Sequence, residues 1–177
     1  MGIKIITENC NNVIEFLEFK KSENITCYSL RDNLSEFKEN GTVVILGNFD
    51  GVHKAHKKIL QKGVKKAQEK GYKTVVYTFN EYPNKKHTRI TNQSEKAFIM
   101  EKNGIDYLYL EEFEKVRNYT PENFVEKILI EKLNAKEVLC GFNFTFGKKK
   151  SGDAKLLKSI LEKNGINKIV IERRIFR

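Results

Sequence analysis

The chain has 177 residues, a formal net charge of +10 and 40% apolar residues. That length and apolar content predict one folded domain with a sizeable core and exclude a disordered chain. No apolar segment approaches a membrane span and Met1-Gly2-Ile3-Lys4 lacks the build of a signal peptide, while Cys10, Cys27 and Cys140 follow no pairing pattern, so free thiols in a reducing cytoplasm are expected.

In chain order, Ile3 to Thr7 reads as a strand and Val13 to Phe19 as a short helix with Val13, Phe16 and Leu17 on one side. Asp32 to Asn40 is polar and turns at Gly41, and residues 1–40 are expected to pack on a sheet edge or to mediate association. The apolar run Thr42-Val43-Val44-Ile45-Leu46 predicts a buried strand, followed by the turn Gly47-Asn48-Phe49-Asp50-Gly51-Val52-His53-Lys54-Ala55-His56 and a lysine-rich helix. A strand thus delivers two histidines, spaced i and i+3, to a helix N-terminus, where unpaired N–H groups and the helix dipole favour anions. This turn holds two of the three histidines in the chain. Neutral imidazoles there can donate hydrogen bonds to phosphate oxygens.

Within the turn, Gly47 and Gly51 supply backbone freedom, Asn48 and Asp50 suit turn or helix capping, and Phe49 reads as a core anchor. Two solvated helix-start histidines are the plain alternative for His53 and His56, and the strand and glycines in front weigh against it. A zinc site is set aside because the cysteines form no CxxC pair. Lys54, Lys57, Lys58, Lys62, Lys65, Lys66 and Lys70 are expected to line a solvent face, and nucleic-acid binding is not expected despite the positive charge.

Lys73 to Phe79 is β-branched and aromatic and predicts a second buried strand. Ser94-Glu95-Lys96 opens a short helix, and Gly104 to Leu108 leads into a further strand. Thr120-Pro121 reads as N-cap and first helical residue, with Phe124, Ile128 and Leu129 at helical spacing. Glu137 to Cys140 is a short strand feeding Gly141-Phe142-Asn143-Phe144-Thr145-Phe146-Gly147, then Lys148 to Lys150 and Asp153, a helix cap. Phe144 and Phe146 are expected to face the core, Cys140 to be a small buried residue, and His87 to be exposed. Strands alternating with helices predict an α/β fold with a parallel sheet and helices on both faces. Right-handed crossovers then bring the loops after 46, 79 and 140 to one rim.

The motif GNFDGVHKAH resembles the HxGH signature of the nucleotidylyltransferase superfamily, in the form found in the FMN adenylyltransferase module of prokaryotic riboflavin kinase/FAD synthetase proteins. The segment Thr78-Phe79 to Pro83 is similar to that family's TFxPHP, with Tyr82 in place of His. Gly104-Ile105-Asp106-Tyr107-Leu108 resembles its GVDYL strand, and residues 141–153 resemble GxNFxFGxxxxGD. The family usually has Gly where Ala55 stands. The resemblance covers roughly residues 41–172 and implies a Rossmann-like nucleotidylyltransferase domain over 41–177, preceded by an elaboration over 1–40.

The resemblance further implies transfer of AMP from ATP to FMN, giving FAD and pyrophosphate. It assigns His53 and His56 to catalysis, and Gly47, Asn48, Phe49, Asp50, Gly51, Ala55 and Asn143 to ATP. Thr78, Phe79, Pro83, Asn143, Thr145 and Gly147 fall to FMN, and Mg²⁺ is expected to travel with ATP rather than in a protein cage. A phosphate monoester is already anionic, so no general base is needed, and no acid/base carboxylate pair or Ser-His-Asp set stands out. The family continues past its last strand with an SSTxIR segment and a riboflavin kinase domain. Glu172 to Arg177 carries neither, so weak or no turnover by residues 1–177 is expected, even where binding is retained. Two alternatives stay open: another HxGH nucleotidylyltransferase, and a non-catalytic flavin or ATP binder.

Overall fold

The structure, a computed structural model, describes residues 2–7, 26–29, 34–50, 54–80 and 93–172. Its elements in chain order are β1 (Lys4–Thr7), β2 (Thr26–Ser29), α1 (Leu34–Asn40), β3 (Thr42–Leu46), α2 (Lys54–Lys70), β4 (Lys73–Phe79), α3 (Gln93–Lys102) and β5 (Tyr107–Glu111). There follow a single turn α4 (Phe113–Val116), a helix α5 that opens at Pro121–Asn123 and continues with π-helical winding over Phe124–Lys132, and β6 (Ala135–Gly141). A short hairpin of β7 (Thr145–Phe146) and β8 (Gly152–Asp153), then α6 (Ala154–Lys163) and β9 (Ile169–Glu172), complete the described chain. Val13 to Phe19 and His87 lie outside the described residues.

Among the described residues the main sheet has seven strands in the order β2-β1-β5-β4-β3-β6-β9, every neighbouring pair parallel. Strands buried on both faces need continuous apolar runs, and β3 is buried at all five positions. Alternation then splits the core. Val43, Ile45, Val76, Leu108 and Leu139 pack with Ile59, Leu60 and Ala67 of α2 and with Ala97 and Met100 of α3. Val44, Leu46, Val75, Tyr77, Val138 and Cys140 pack with Phe124, Ile128 and Leu129 of α5 and with Leu157 and Leu161 of α6. Helices therefore cover both faces, as the sequence predicts.

The strand expected at Ile3 to Thr7 is present and pairs with β5, and β2 pairs with β1, so this segment lengthens the sheet at one edge. The polar stretch before the turn at Gly41 is helical over Leu34–Asn40, with buried Phe37 edge-on to Tyr107 at 4.9 Å between ring centroids. Apolar spacing in α5 suits its wider winding: Phe124, Ile128, Leu129 and Leu133 are all buried, and the Leu133 N–H reaches Ile128 O five residues back. Thr120 caps this helix through a 3.2 Å bond from Asn123 N, and Asp153 caps α6 through 2.8 Å from Leu156 N.

The lysine face of α2 differs from its expected form. Lys58 and Lys62 meet Glu172 of β9 at 3.0 and 3.3 Å, and Lys66 and Lys70 meet Glu137 of β6 at 2.8 and 2.7 Å. The stripe at i, i+4, i+8 and i+12 lies over acids that only the folded sheet brings beside it, so these four lysines tie helix to sheet rather than facing solvent alone.

Candidate active site

Parallel strands put all their carboxyl ends on one edge, and in the order β4-β3-β6-β9 the chain runs outward in opposite directions from β3 and β6. Such a reversal opens a crevice between the loops leaving the two central strands, the usual ligand position in open α/β sheets. Residues 47–50 leave β3 and residues 142–147 leave β6, so the two motifs flank that crevice.

The β3 turn is tied down from several sides. Gly47 N donates to Tyr77 O at 3.4 Å. The Asn48 carbonyl accepts from Thr78 Oγ1 at 3.2 Å and from Lys96 Nζ at 2.8 Å. Phe49 is 1% exposed and packs with the α2 and α3 core, as expected of a core anchor. Its ring lies over Gly47 so closely that a Cβ there would stand 2.9 Å from ring carbon Cε2. This is why Gly occupies 47. The same ring lies 5.2 Å from that of His56, which sits in the first turn of α2 and is half-buried. Phe49 was expected among the ATP residues; with its side chain in the core, only its backbone can face a ligand. Asn48 is exposed and Asp50 half-buried. Gly51, His53 and Pro83 lie outside the described residues, and of Ala55 only the backbone, within α2, is described.

Thr78 and Phe79, expected together in one flavin wall, are parted by strand alternation. Thr78 turns to the α3 face and bonds Asn48, whereas Phe79 turns to the other face, 5.3 Å and edge-on to Phe113. Asn80, just beyond, donates to Glu111 O at 2.8 Å, and its own carbonyl accepts from Gln93 Nε2. The ends of β4, β5 and α3 are thereby joined.

On the β6 side, Phe142 N donates to Glu172 O at 2.9 Å. Asn143 is exposed, with Oδ1 3.1 Å from where a Cβ on Gly141 would stand. Thr145 is exposed on the hairpin opposite Asp153, while Phe146 is buried and stacked on half-buried Phe144 at 5.8 Å, as expected. Gly147 adopts φ +74, and a Cβ there would stand 3.0 Å from Pro121, so its glycine is demanded by the turn itself. Lys148 to Lys150 are exposed, and Lys149 and Lys150 take the left-handed values φ 54 and 57.

Two buried polar groups near this rim escaped the sequence reading. Lys96 is 7% exposed although a lysine in a short polar helix reads as surface. Glu111, 1% exposed, accepts from Tyr77 Oη at 3.2 Å. Burial raises its pKa above the ordinary carboxylate range, and Lys132 and Tyr77 pull it only part of the way back. Burial also pushes the Cys140 thiol up to about 12, so it stays neutral and serves as packing, as expected, rather than as a nucleophile. Among the described residues no three His, Cys, Asp or Glu side chains gather into a metal-binding group.

Comparison with known proteins bears directly on this rim. Residues 35–175 match the model of the family described as FAD synthetase. The chain belongs to the FAD synthetase family. Bifunctional riboflavin kinase/FMN adenylyltransferases are 31% identical over 71% of the chain (Escherichia coli K12), 36% over 72% (Buchnera aphidicola of Schizaphis graminum) and 33% over 68% (Bacillus subtilis). The chain spans 42%, 43% and 40% of the lengths of these three relatives. Among solved structures, a macrolide-efflux protein from Streptococcus pneumoniae superposes with TM-score 0.66 at 30% identity, covering 77% of this chain and 46% of that one. A pantothenate synthetase from Thermus thermophilus, TM-score 0.54 at 12% identity over 84% of this chain and 60% of that one, shares the fold. The FAD synthetase match takes in both motif loops, from the β3 turn to the 141–147 bend, and α3 with Lys96.

Proposed function

We propose that this chain is an FMN adenylyltransferase module: an FMN phosphate oxygen attacks the α-phosphorus of ATP, the α–β P–O bond breaks, and FAD and pyrophosphate result. The observation that carries this reading is the placement of the GNFD turn and the 141–147 loop after adjacent parallel strands, where the strand order reverses. The turn precedes the N-terminus of a 17-residue helix, a setting that favours phosphate.

The attacking phosphate is already anionic, so the site has to align two phosphates and stabilise charge growing on the α and β oxygens. His53 and His56 serve as donors to the ATP phosphates, assisted by the amides of 47–51 and the first turn of α2, which includes Ala55. Asn143 lies between nucleotide and flavin. Phe79, Thr145 and Gly147 serve the flavin, with Thr78 acting through the turn it braces, and Pro83, outside the described residues, is assigned to FMN by the family motif alone. Mg²⁺ enters with ATP, held by phosphate oxygens. Small molecules, not nucleic acid or membrane, are the partners of this reading. No helix of the described residues is long and apolar enough to cross a membrane. A cytoplasmic location suits a buried free thiol at Cys140.

The test is a reaction of the chain with α-labelled ATP, Mg²⁺ and FMN, separated to look for labelled FAD, beside separate calorimetric titrations with FMN and a non-hydrolysable ATP analogue. Labelled FAD supports the reading. Binding of both ligands without any FAD points to the non-catalytic binder, and failure to bind FMN sinks the flavin assignment.

A further inference from the structure

Lys96 is an ammonium enclosed in protein, 7% exposed, on a helix whose neighbouring residues Ala97 and Met100 are fully buried core. A buried ammonium is costly unless it is hydrogen-bonded, and this one donates to Asn48 O at 2.8 Å, inside the β3–α2 turn. Thr78 Oγ1 donates to the same oxygen at 3.2 Å from the end of β4. The residue after that carbonyl is Phe49, whose φ of 49 lies in the left-handed region that bulky side chains avoid. Rotation of the Asn48–Phe49 peptide plane changes ψ of Asn48 and φ of Phe49 together, so it is the motion that relieves Phe49. Two donors on the Asn48 oxygen oppose that rotation. The peptide is trans, so its N–H points opposite to its C=O. With the oxygen committed to α3 and β4, the Phe49 N–H is aimed away from both.

We propose that Lys96 is a positioning residue of the phosphate turn: by gripping the Asn48 carbonyl it holds the strained peptide with the Phe49 N–H presented as a donor to a phosphoryl oxygen. The inference rests on the adenylyl-transfer reading for what binds there, and it adds a group on α3 that reaches the substrate only through the backbone it orients. Removal of the ammonium frees the peptide to turn over, which brings the carbonyl toward the phosphate and replaces attraction by repulsion.

The experiment follows the Phe49 amide of the whole chain by ¹⁵N NMR while inorganic pyrophosphate and Mg²⁺ are added, alongside FAD formation. In the parent, pyrophosphate shifts the Phe49 amide. Lys96→Met is expected to abolish that shift, to weaken pyrophosphate at least tenfold, and to lower kcat far more than the KM for FMN. Lys96→Arg, which keeps a long cationic donor, is expected to restore pyrophosphate binding to within about threefold. If the Met variant does not fold, Lys96→Gln, too short to span to Asn48, takes its place with the same expectations. A Met or Gln variant that binds pyrophosphate like the parent with an unchanged Phe49 amide overturns the proposal, as does an Arg variant no better than Met. A chain that makes no FAD, yet shows the Lys96-dependent amide response, refutes adenylyl transfer and leaves the role of Lys96 standing.

Discussion

Lys66 Nζ lies 2.8 Å from Oε2 of Glu137, an acid whose side chain is only 1% exposed, and Lys70 approaches the other oxygen of the same carboxylate at 2.7 Å. One helix thus supplies two cations, four residues apart, to one buried strand residue. Burial alone raises the pKa of Glu137, yet the two lysines outweigh it and hold the acid below its ordinary value.

The asymmetry of exposure fixes what each deletion does. Both lysines are 28% exposed and can rehydrate when the acid is removed, so Glu137→Gln is expected to lose only about 1–2 kcal/mol of stability. Lys66→Met with Lys70→Met takes the two nearest cations from a buried carboxylate and is expected to cost clearly more stability at pH 7 than Glu137→Gln. Urea unfolding of the two variants checks the order; equal losses would mean that the pair is solvated like a surface bridge.

Glu111 works in the opposite sense. An acid whose folded-state pKa is raised binds its proton more tightly in the folded chain than in the unfolded one. Below the ordinary value of 4.5 both states are protonated and no penalty arises. As pH rises past it the unfolded chain ionises first, and stability falls until the folded group ionises as well. Glu111→Gln, which keeps an acceptor for Tyr77, is therefore expected to be more stable than the parent at neutral pH and no more stable in acid. Thermal melts across that range decide it, and a pH-independent difference counts against the assignment.

His56, packed against Phe49, carries the phosphate role in the proposed reaction. His56→Ala is expected to lose roughly 100-fold in kcat/KM, about 3 kcal/mol of transition-state stabilisation. Steady-state FAD formation with ATP varied measures this, and activity within a few-fold of the parent refutes the assignment.

Gly147→Ala combines a left-handed backbone, φ +74, with a Cβ 3.0 Å from Pro121. The expected loss is about 1–3 kcal/mol. Adding Pro121→Ala relieves the crowding but not the backbone term, so only part of the loss is recovered. Full recovery in the double variant would assign the whole effect to contact.

Local sequence carried what depends on near neighbours. The runs 42–46 and 73–79 announce strands because both faces of a central parallel strand are apolar, and Thr120-Pro121 and Asp153 announce helix starts because a cap acts within one turn. The two loops at the crevice were legible for the same reason: each is a contiguous motif at a strand end. Long-range geometry decided the remainder. Phe79 and Thr78 are adjacent in sequence yet face opposite ways, and only the sheet shows which helix layer each one meets. The lysines of α2 read as a wet surface until β6 and β9 bring Glu137 and Glu172 beneath them. Lys96 and Asn48 are 48 residues apart, and no pattern within either segment foretells that an ammonium closes on that carbonyl. Hydropathy reports a side chain's own preference for water; whether a charge is buried depends on partners the chain delivers only by folding.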